Sequence, residues 1–123
     1  MSIKDFIISL ISAVGGGEDI RNLSPDEFEL RLNEKECIIL DVRTEEEFSS
    51  GFIKGAKNIN FLSSDFRQQI SRLDKNKKYL VYCASGGRSA AACKIMSDLG
   101  FVECYNLKGG INAWKKAGKP VKK

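Results

Sequence analysis

Short runs of consecutive apolar residues alternate along the chain with stretches in which apolar residues recur at helical spacing. Consecutive apolar runs are typical of strands buried on both faces, whereas helical spacing is typical of amphipathic helices. The pattern predicts strands at 37–42, 57–61, 79–82 and 101–107, with helices at 25–33, 44–51, 64–73, 89–99 and 110–117. This alternation predicts the α/β fold class, with a mostly parallel central sheet and helices on both of its faces.

Two of the predicted helices begin with a capping box. In this motif a hydroxyl residue and a glutamate three positions later each accept a hydrogen bond from the other's backbone amide. Ser24 is followed by Glu27 at this spacing, and Thr44 is followed by Glu47. These pairs place two helix starts independently of the hydrophobic pattern.

Residues 1–17 form a segment ahead of the main predicted domain, which spans 18–123. Six apolar residues fall on one helical stripe before a glycine break: Ile3, Phe6, Ile7, Leu10, Ile11 and Val14. We predict an N-terminal amphipathic helix packed on the domain. A secretory signal over residues 1–15 is the main alternative, although Asp5 interrupts the basic region that such signals carry. A helix lying on a membrane surface is another alternative.

The composition excludes several kinds of chemistry. The chain has 123 residues, which suits one domain, a formal net charge of +4 and no histidine. Histidine-based hydrolysis, Cys-His proteolysis and histidine metal sites are therefore impossible within it. Because its four cysteines include no C-x-x-C pair, we expect no metal and no cofactor. The positive charge can attract a small anion, but no nucleic-acid motif accompanies it, and we expect neither nucleic acid nor membrane as a partner.

The cysteines also bear on location. A chain this apolar and regular does not need a disulfide scaffold, and free thiols suit a reducing compartment. We therefore expect a cytoplasmic protein. A periplasmic or exported protein is the alternative if residues 1–15 are a signal peptide.

The stretch Cys83-Ala84-Ser85-Gly86-Gly87-Arg88-Ser89 joins a predicted strand to an alanine-rich helix. Glycines allow successive amides to turn toward one point. The helix start adds free N–H groups and the positive end of its dipole. If the sulfur of this cysteine lies in that cradle, its pKa falls and the thiolate is nucleophilic without a histidine base. We expect an exposed thiol here; the alternative is an ordinary turn with a buried structural cysteine.

A second polar stretch, Asp41-Val42-Arg43, also follows a predicted strand directly. In open parallel sheets, ligands bind beyond the carboxyl ends of the strands. The fold therefore predicts that this stretch and the cysteine loop lie on the same edge of the sheet.

From about Ile20 to Pro120 the sequence resembles the rhodanese family of sulfurtransferases, as a single-domain member. Three ordered motifs carry the resemblance: the loop at 83–89, the signature at 41–56 before it, and the stretch from Gly109-Gly110 to Pro120 after it. One position departs from the family pattern, since Phe52 stands where histidine is common. That position is not the family's nucleophile, so the departure alters local polarity without removing the reactive group.

The resemblance implies a thiosulfate sulfurtransferase in which Cys83 is the nucleophile and carries a persulfide. The sulfur would come from a small anionic donor and pass to cyanide or a thiol, with a sulfur-relay protein as a further partner. The implied substrate-binding residues follow in the loop: Ala84, Ser85, Gly86 and Gly87 through backbone amides, and Arg88 through its charge. The implied supporting residues are Asp41, Arg43 and Ser89, with Arg43 paired to Glu47. For Arg88 the alternative is a surface ion pair with Asp41.

Two other functions stay open. A cysteine-dependent phosphatase or arsenate reductase uses a similar loop with five residues between cysteine and arginine. Only four intervene here, which makes a tighter cradle suited to a single sulfur atom. A non-catalytic or sulfur-carrier binding module is the other candidate, and as a carrier it would turn thiosulfate over slowly.

The remaining cysteines and the tryptophan fit structural roles. Cys37, Cys93 and Cys104 lie within predicted strands or a helix, where cysteine behaves as a small buried hydrophobic residue. A resolving role for Cys93 is the alternative. Trp114 is predicted to pack the last helix against the sheet.

Overall fold

The computed structural model describes residues 21–123, which form five strands and five helices. The strands are β1 (Arg21–Leu23), β2 (Cys37–Asp41), β3 (Lys57–Asn58), β4 (Lys78–Tyr82) and β5 (Glu103–Leu107). The helices are α1 (Pro25–Arg31), α2 (Glu45–Ser49), α3 (Phe66–Ser71), α4 (Gly87–Asp98) and α5 (Gly110–Lys116).

All the strand pairs of the sheet are parallel, in the order β1-β5-β4-β2-β3. The central strand β4 pairs with β2 so that Tyr82 lies opposite Asp41, and on its other side Val81 lies opposite Asn106 of β5. The carboxyl ends of these three strands therefore meet at one edge. This arrangement confirms the predicted parallel α/β fold.

Helices cover both faces of the sheet because the strands present apolar side chains in both directions. On one face a buried cluster joins Leu40 and Val81 to α3 and α4 through Phe66 and Met96. On the other face, Leu80 and Tyr82 belong to a second cluster with α1 and α5. Trp114 of α5 is fully buried in that second cluster, as predicted, and its indole N–H donates to the carbonyl of Pro120 at 2.8 Å.

The predicted helix starts are confirmed in detail. The Ser24 hydroxyl accepts from the amide of Glu27 at 3.2 Å, and the Glu27 carboxylate accepts from the amide of Ser24 at 2.9 Å. Thr44 and Glu47 form the same reciprocal pair at the start of α2. Both boxes satisfy amides that have no partner within the first turn of a helix.

Several boundaries differ from the sequence-based prediction. The strand β1 was not predicted, because Arg21-Asn22-Leu23 is too short and too polar to give a hydrophobic run. It is a strand because β5 pairs with it. Most predicted elements are one to four residues longer than the observed ones, and β3 contains only two residues. The end residues of these predicted helices and strands lie in turns, bends or irregular backbone in the structure.

The predicted amphipathic helix over residues 1–17 lies outside the described residues. Within 21–123 there is no helix with the length and apolar character that crossing a membrane requires.

Packing on the α1 face rests on Phe28, which leads to a stability prediction. This side chain is fully buried and makes edge-on ring contacts with Tyr82 and Trp114, at centroid distances of 6.5 and 6.0 Å. Phe28→Ala should lower the free energy of unfolding by about 3–5 kcal/mol, because it removes a large buried side chain and leaves a cavity. Urea denaturation measures the change.

Leu30→Ala is the matched control, because Leu30 lies on the same helix but is 75% exposed. Its effect should stay within about 0.5 kcal/mol. Equal losses in the two variants would contradict the assignment of α1 to this core.

Candidate active site

Cys83 directly follows β4, at the edge where the central strands end. Gly86 caps the next helix in a left-handed conformation, with φ of 103°, and α4 begins at Gly87. The chain thus reverses between the cysteine and the helix, so the first turn of α4 faces back toward the sulfur. The expectation of an exposed thiol is wrong: Cys83 is only 1% exposed, because it packs into the cluster under α4.

The sulfur of Cys83 is surrounded by hydrogen-bond donors. The amide of Gly86 donates to Sγ at an N···S distance of 3.1 Å, and the hydroxyl of Ser89 donates at 3.3 Å. Burial alone would raise the pKa of this thiol. The hydrogen bonds from the side chain and amide of Ser89, and from the amides of Gly86 and Ser85, outweigh burial and lower it.

The other three cysteines show the opposite behaviour. Burial raises the pKa of Cys37, raises that of Cys104 to about 12, and raises that of Cys93 well above the ordinary value. All four cysteines are free thiols. Cys93 is buried as predicted, while Cys37 and Cys104 are half-buried. Cys83 is therefore the one cysteine of the four whose pKa the fold lowers.

The loop directs its amides inward because other elements bind its carbonyl groups. The amide of Ile111, in the first turn of α5, donates to the carbonyl of Cys83 at 2.9 Å, and the next amide, that of Asn112, donates to Ala84 at 3.1 Å. The carbonyl of Gly86 accepts from the amide of Ala90 at 3.1 Å and from the side chain of Asn106 at 3.4 Å.

This arrangement requires glycine at position 110. A Cβ there would lie 2.4 Å from the carbonyl oxygen of Ala84, and the residue has φ of 62°. Sequence reasoning identified the Gly109-Gly110 pair only as a motif, and it missed Asn106. The signal available for Asn106 was a polar residue between Tyr105 and Leu107 near the carboxyl end of a predicted strand, and the structure shows that it is buried.

Asp41 and Arg43 form a buried ion pair beside the loop. The guanidinium donates to both carboxylate oxygens, at distances between 2.7 and 3.2 Å, and to the carbonyl of Gly51 at 2.6 Å. The expected pairing of Arg43 with Glu47 is therefore wrong, because the guanidinium is bound by Asp41, two residues earlier at the end of β2, and by the carbonyl of Gly51. The pair fixes the turn after β2, and its supporting role in a reaction stays a prediction.

Glu47 instead binds Arg88, in a two-pronged ion pair with N···O distances of 2.8 and 2.9 Å. Arg88 therefore does form the surface ion pair given as the alternative, but its partner is Glu47 and not Asp41. The hydrogen bonds from Arg88 are the main cause that lowers the pKa of Glu47 to about 2. Arg88 and Glu47 are partly exposed, at 26% and 34% of their side-chain surfaces, so the pair lies at the rim of the site.

The structure brings most of the predicted site residues together. Ser85, Gly86 and Ser89 reach the sulfur, and Gly87 begins α4 with open space where a Cβ would lie. The carbonyl of Ala84 is turned toward α5. Phe52, at the family's usual histidine position, stacks on Phe48 with ring centroids 4.4 Å apart. No cluster of metal-ligating side chains occurs among residues 21–123.

Comparison of the sequence with known proteins identifies the family. The model of the rhodanese-like domain family matches residues 24–117, so the chain belongs to that family. Thiosulfate sulfurtransferase 16 of Arabidopsis thaliana is 38% identical over 93 residues, covering 68% of this chain and 78% of that protein. A sulfurtransferase of Allochromatium vinosum is 31% identical over 103 residues, covering 83% of this chain and 94% of its own.

Solved structures and longer relatives extend the comparison. A rhodanese-related protein of Thermoplasma volcanium superposes with a TM-score of 0.73 at 35% identity, covering 83% of this chain and 97% of the other. A tRNA uridine(34) hydroxylase of the Aster yellows witches'-broom phytoplasma is 36% identical over 98 residues, but the match spans only 32% of that protein. The sulfurtransferase relatives, by contrast, are matched over most of their length.

The contact between α5 and the loop gives a prediction at Gly110. Gly110→Ala should displace the loop, because the new methyl group would overlap backbone atoms of Cys83 and Ala84. We expect at least a tenfold slower alkylation of Cys83 by iodoacetamide at neutral pH, about the loss that follows if its pKa rises by one unit. Mass spectrometry of the modified peptide measures that rate.

Gly118→Ala is the matched control, since Gly118 has a similar φ of 77° but nothing within 4 Å of a new Cβ. It carries the left-handed backbone cost of about 1–2 kcal/mol without the overlap. Equal alkylation rates for both variants and the unmodified chain would show that α5 does not hold the loop.

Proposed function

We propose that this protein is a sulfurtransferase that carries sulfane sulfur as a persulfide on Cys83, with thiosulfate or a related persulfide as donor. The observation that carries the proposal is the set of donors on a single sulfur, from Gly86 and Ser89, in a chain that has no histidine to act as base. Such donors stabilise a thiolate. They would stabilise the terminal sulfur of a persulfide in the same way.

The first step is a displacement at sulfur. The thiolate of Cys83 attacks the outer sulfur of thiosulfate, a new S–S bond forms, and the old S–S bond breaks. Sulfite leaves with the electron pair of the broken bond, and the enzyme keeps the outer sulfur as a persulfide. No external oxidant or reductant is consumed. This is covalent catalysis, and it predicts ping-pong kinetics.

The second step returns the enzyme to its thiolate. Cyanide, or the thiolate of an acceptor, attacks the terminal sulfur of the persulfide and takes it as thiocyanate or a new persulfide. The acceptor in the cell would be a small thiol or a sulfur-relay protein. We propose a reducing compartment, the cytoplasm, as the location of the protein, and the four free thiols support this; a periplasmic or exported protein is the alternative.

A sulfur-carrier role is a second candidate, which the burial of Cys83 favours. A thiol that is 1% exposed is less accessible to a freely diffusing donor than to a partner that remodels the rim. Phosphate-ester chemistry is disfavoured, because Arg88 is held by Glu47 and only four residues separate it from the cysteine.

Intact-mass spectrometry tests the proposal. Incubation with thiosulfate should add the mass of one sulfur atom, and cyanide should remove it with release of thiocyanate. Cys83→Ser should show no gain, because the nucleophile is absent. Cys37→Ser is the matched control and should gain sulfur normally, since its thiol has a raised pKa.

The rates of persulfide formation and removal distinguish an enzyme from a sulfur carrier. Formation and removal of the persulfide on the time scale of turnover indicate a sulfurtransferase, whereas slow loading from thiosulfate with fast loading by a persulfide-bearing partner indicates a carrier. If no sulfane donor adds sulfur to the chain, both roles are refuted.

A further inference from the structure

The charged side chains at the rim of the site affect which sulfur donors the site can bind. The two arginines beside the cysteine loop are both committed to carboxylates: Arg43 to Asp41 in the interior, and Arg88 to Glu47 at the rim. The loop around Cys83 therefore offers N–H dipoles, while its nearest guanidinium at the rim is neutralised. An incoming anion must compete with a carboxylate for Arg88.

Hydrogen bonds hold the carboxylate of Glu47 in its position beside Arg88. Its Oε1 atom accepts from the amide and the hydroxyl of Thr44, both at 3.1 Å, and from Arg88 at 2.8 Å. Arg88 holds the pKa of this carboxyl at about 2, so it is charged at any pH at which the protein would work. Glu47 is thus a fixed negative charge, anchored by the start of α2.

Arg88 also directly precedes Ser89, whose hydroxyl donates to the reactive sulfur at 3.3 Å. The hydrogen bonds that Arg88 donates to Glu47 are the largest cause of the raised pKa of Arg88, and the charge of Cys83 contributes in the same direction. An anionic group on a donor whose outer sulfur approaches Cys83 would therefore feel both members of the rim pair. The carboxylate repels that group in proportion to its charge.

We infer that Glu47 makes this site discriminate among sulfur donors by charge, favouring singly charged donors of the thiosulfonate or persulfide type over the dianion thiosulfate. The inference rests on the proposed sulfur transfer and names the donor class for the same site. In each case the outer sulfur moves to Cys83. Sulfite leaves from thiosulfate, a sulfinate leaves from a thiosulfonate and a thiolate leaves from a persulfide, each with the electron pair of the broken bond, so the step at Cys83 is the same displacement while the donor charge differs.

The test compares thiosulfate with methanethiosulfonate, which carries one negative charge fewer. The measured quantity is the ratio of kcat/KM for methanethiosulfonate to that for thiosulfate, with cyanide as acceptor. Glu47→Gln should lower this ratio about fivefold, the order expected for one charge at a partly hydrated site. Glutamine keeps the oxygen that accepts from the amide of Thr44, so the capping box survives the change.

Two further variants make the result specific. Glu46→Gln removes the same charge from an exposed position on the same helix and should leave the ratio within about twofold of the unmodified protein. Arg88→Gln leaves Glu47 uncompensated and should raise the ratio. The effect of Glu47→Gln should also shrink at high ionic strength, because the pair is partly exposed.

The outcomes separate this inference from the proposed function. If sulfur is transferred and the ratio is the same in the unmodified protein, Glu47→Gln and Arg88→Gln, the charge discrimination is refuted while sulfur transfer stands. An equal fall in Glu46→Gln would likewise refute a role specific to Glu47. If neither donor places sulfur on Cys83, the proposed function fails and the inference falls with it.

Discussion

The convergence of backbone and side-chain donors on the sulfur of Cys83 is the interaction on which the site depends. Buried thiols ordinarily resist ionisation, and the other cysteines of this chain do so. Cys83 is as buried as a core residue, yet the donors from Ser89, Gly86 and Ser85 reverse the effect of burial on its pKa. These donors lower the pKa of the thiol in a chain that has no histidine.

Other residues at the carboxyl ends of the central strands hold those donors in position. The start of α5 binds the carbonyls of Cys83 and Ala84, which the glycine at position 110 makes possible. On the other side, the buried pair of Asp41 and Arg43 fixes the turn after β2. These contacts are made by the segments that follow β5 and β2, the two strands that flank β4. The order of strands in the parallel sheet therefore determines which residues surround the cysteine. The geometry of the loop is thus a property of three neighbouring strand ends.

Much of this edge could be predicted from the sequence. Consecutive apolar runs gave four of the strands, and the parallel order followed from their alternation with helices. The two stretches after β2 and β4 were expected to meet, and Asp41 does lie opposite Tyr82. By contrast, β1 has no hydrophobic pattern of its own and exists through its pairing with β5. Pairing between strands that are far apart in the chain leaves no pattern in the sequence of the short strand itself.

Side-chain partners were the least predictable feature. Arg43, Arg88, Asp41 and Glu47 could pair in several ways by sequence spacing, and the observed choice depends on the direction in which each side chain leaves its strand end or helix. The burial of Cys83 was missed for a similar reason, since Ser85 and Gly87 of the turn are exposed while the sulfur packs beneath α4. Asn106 contributes through a single contact with the carbonyl of Gly86, which only the folded loop creates.

The central claim is that the fold lowers the pKa of the Cys83 thiol, and a pH titration of thiolate ultraviolet absorbance tests it most directly. The difference between the unmodified protein and Cys83→Ser isolates this one thiol. Because its pKa is lowered in the folded state, its thiolate should appear first as pH rises, with a midpoint below that of a cysteine in a short peptide. The same step should be absent after Cys83→Ser. A midpoint at or above the peptide value would contradict the account.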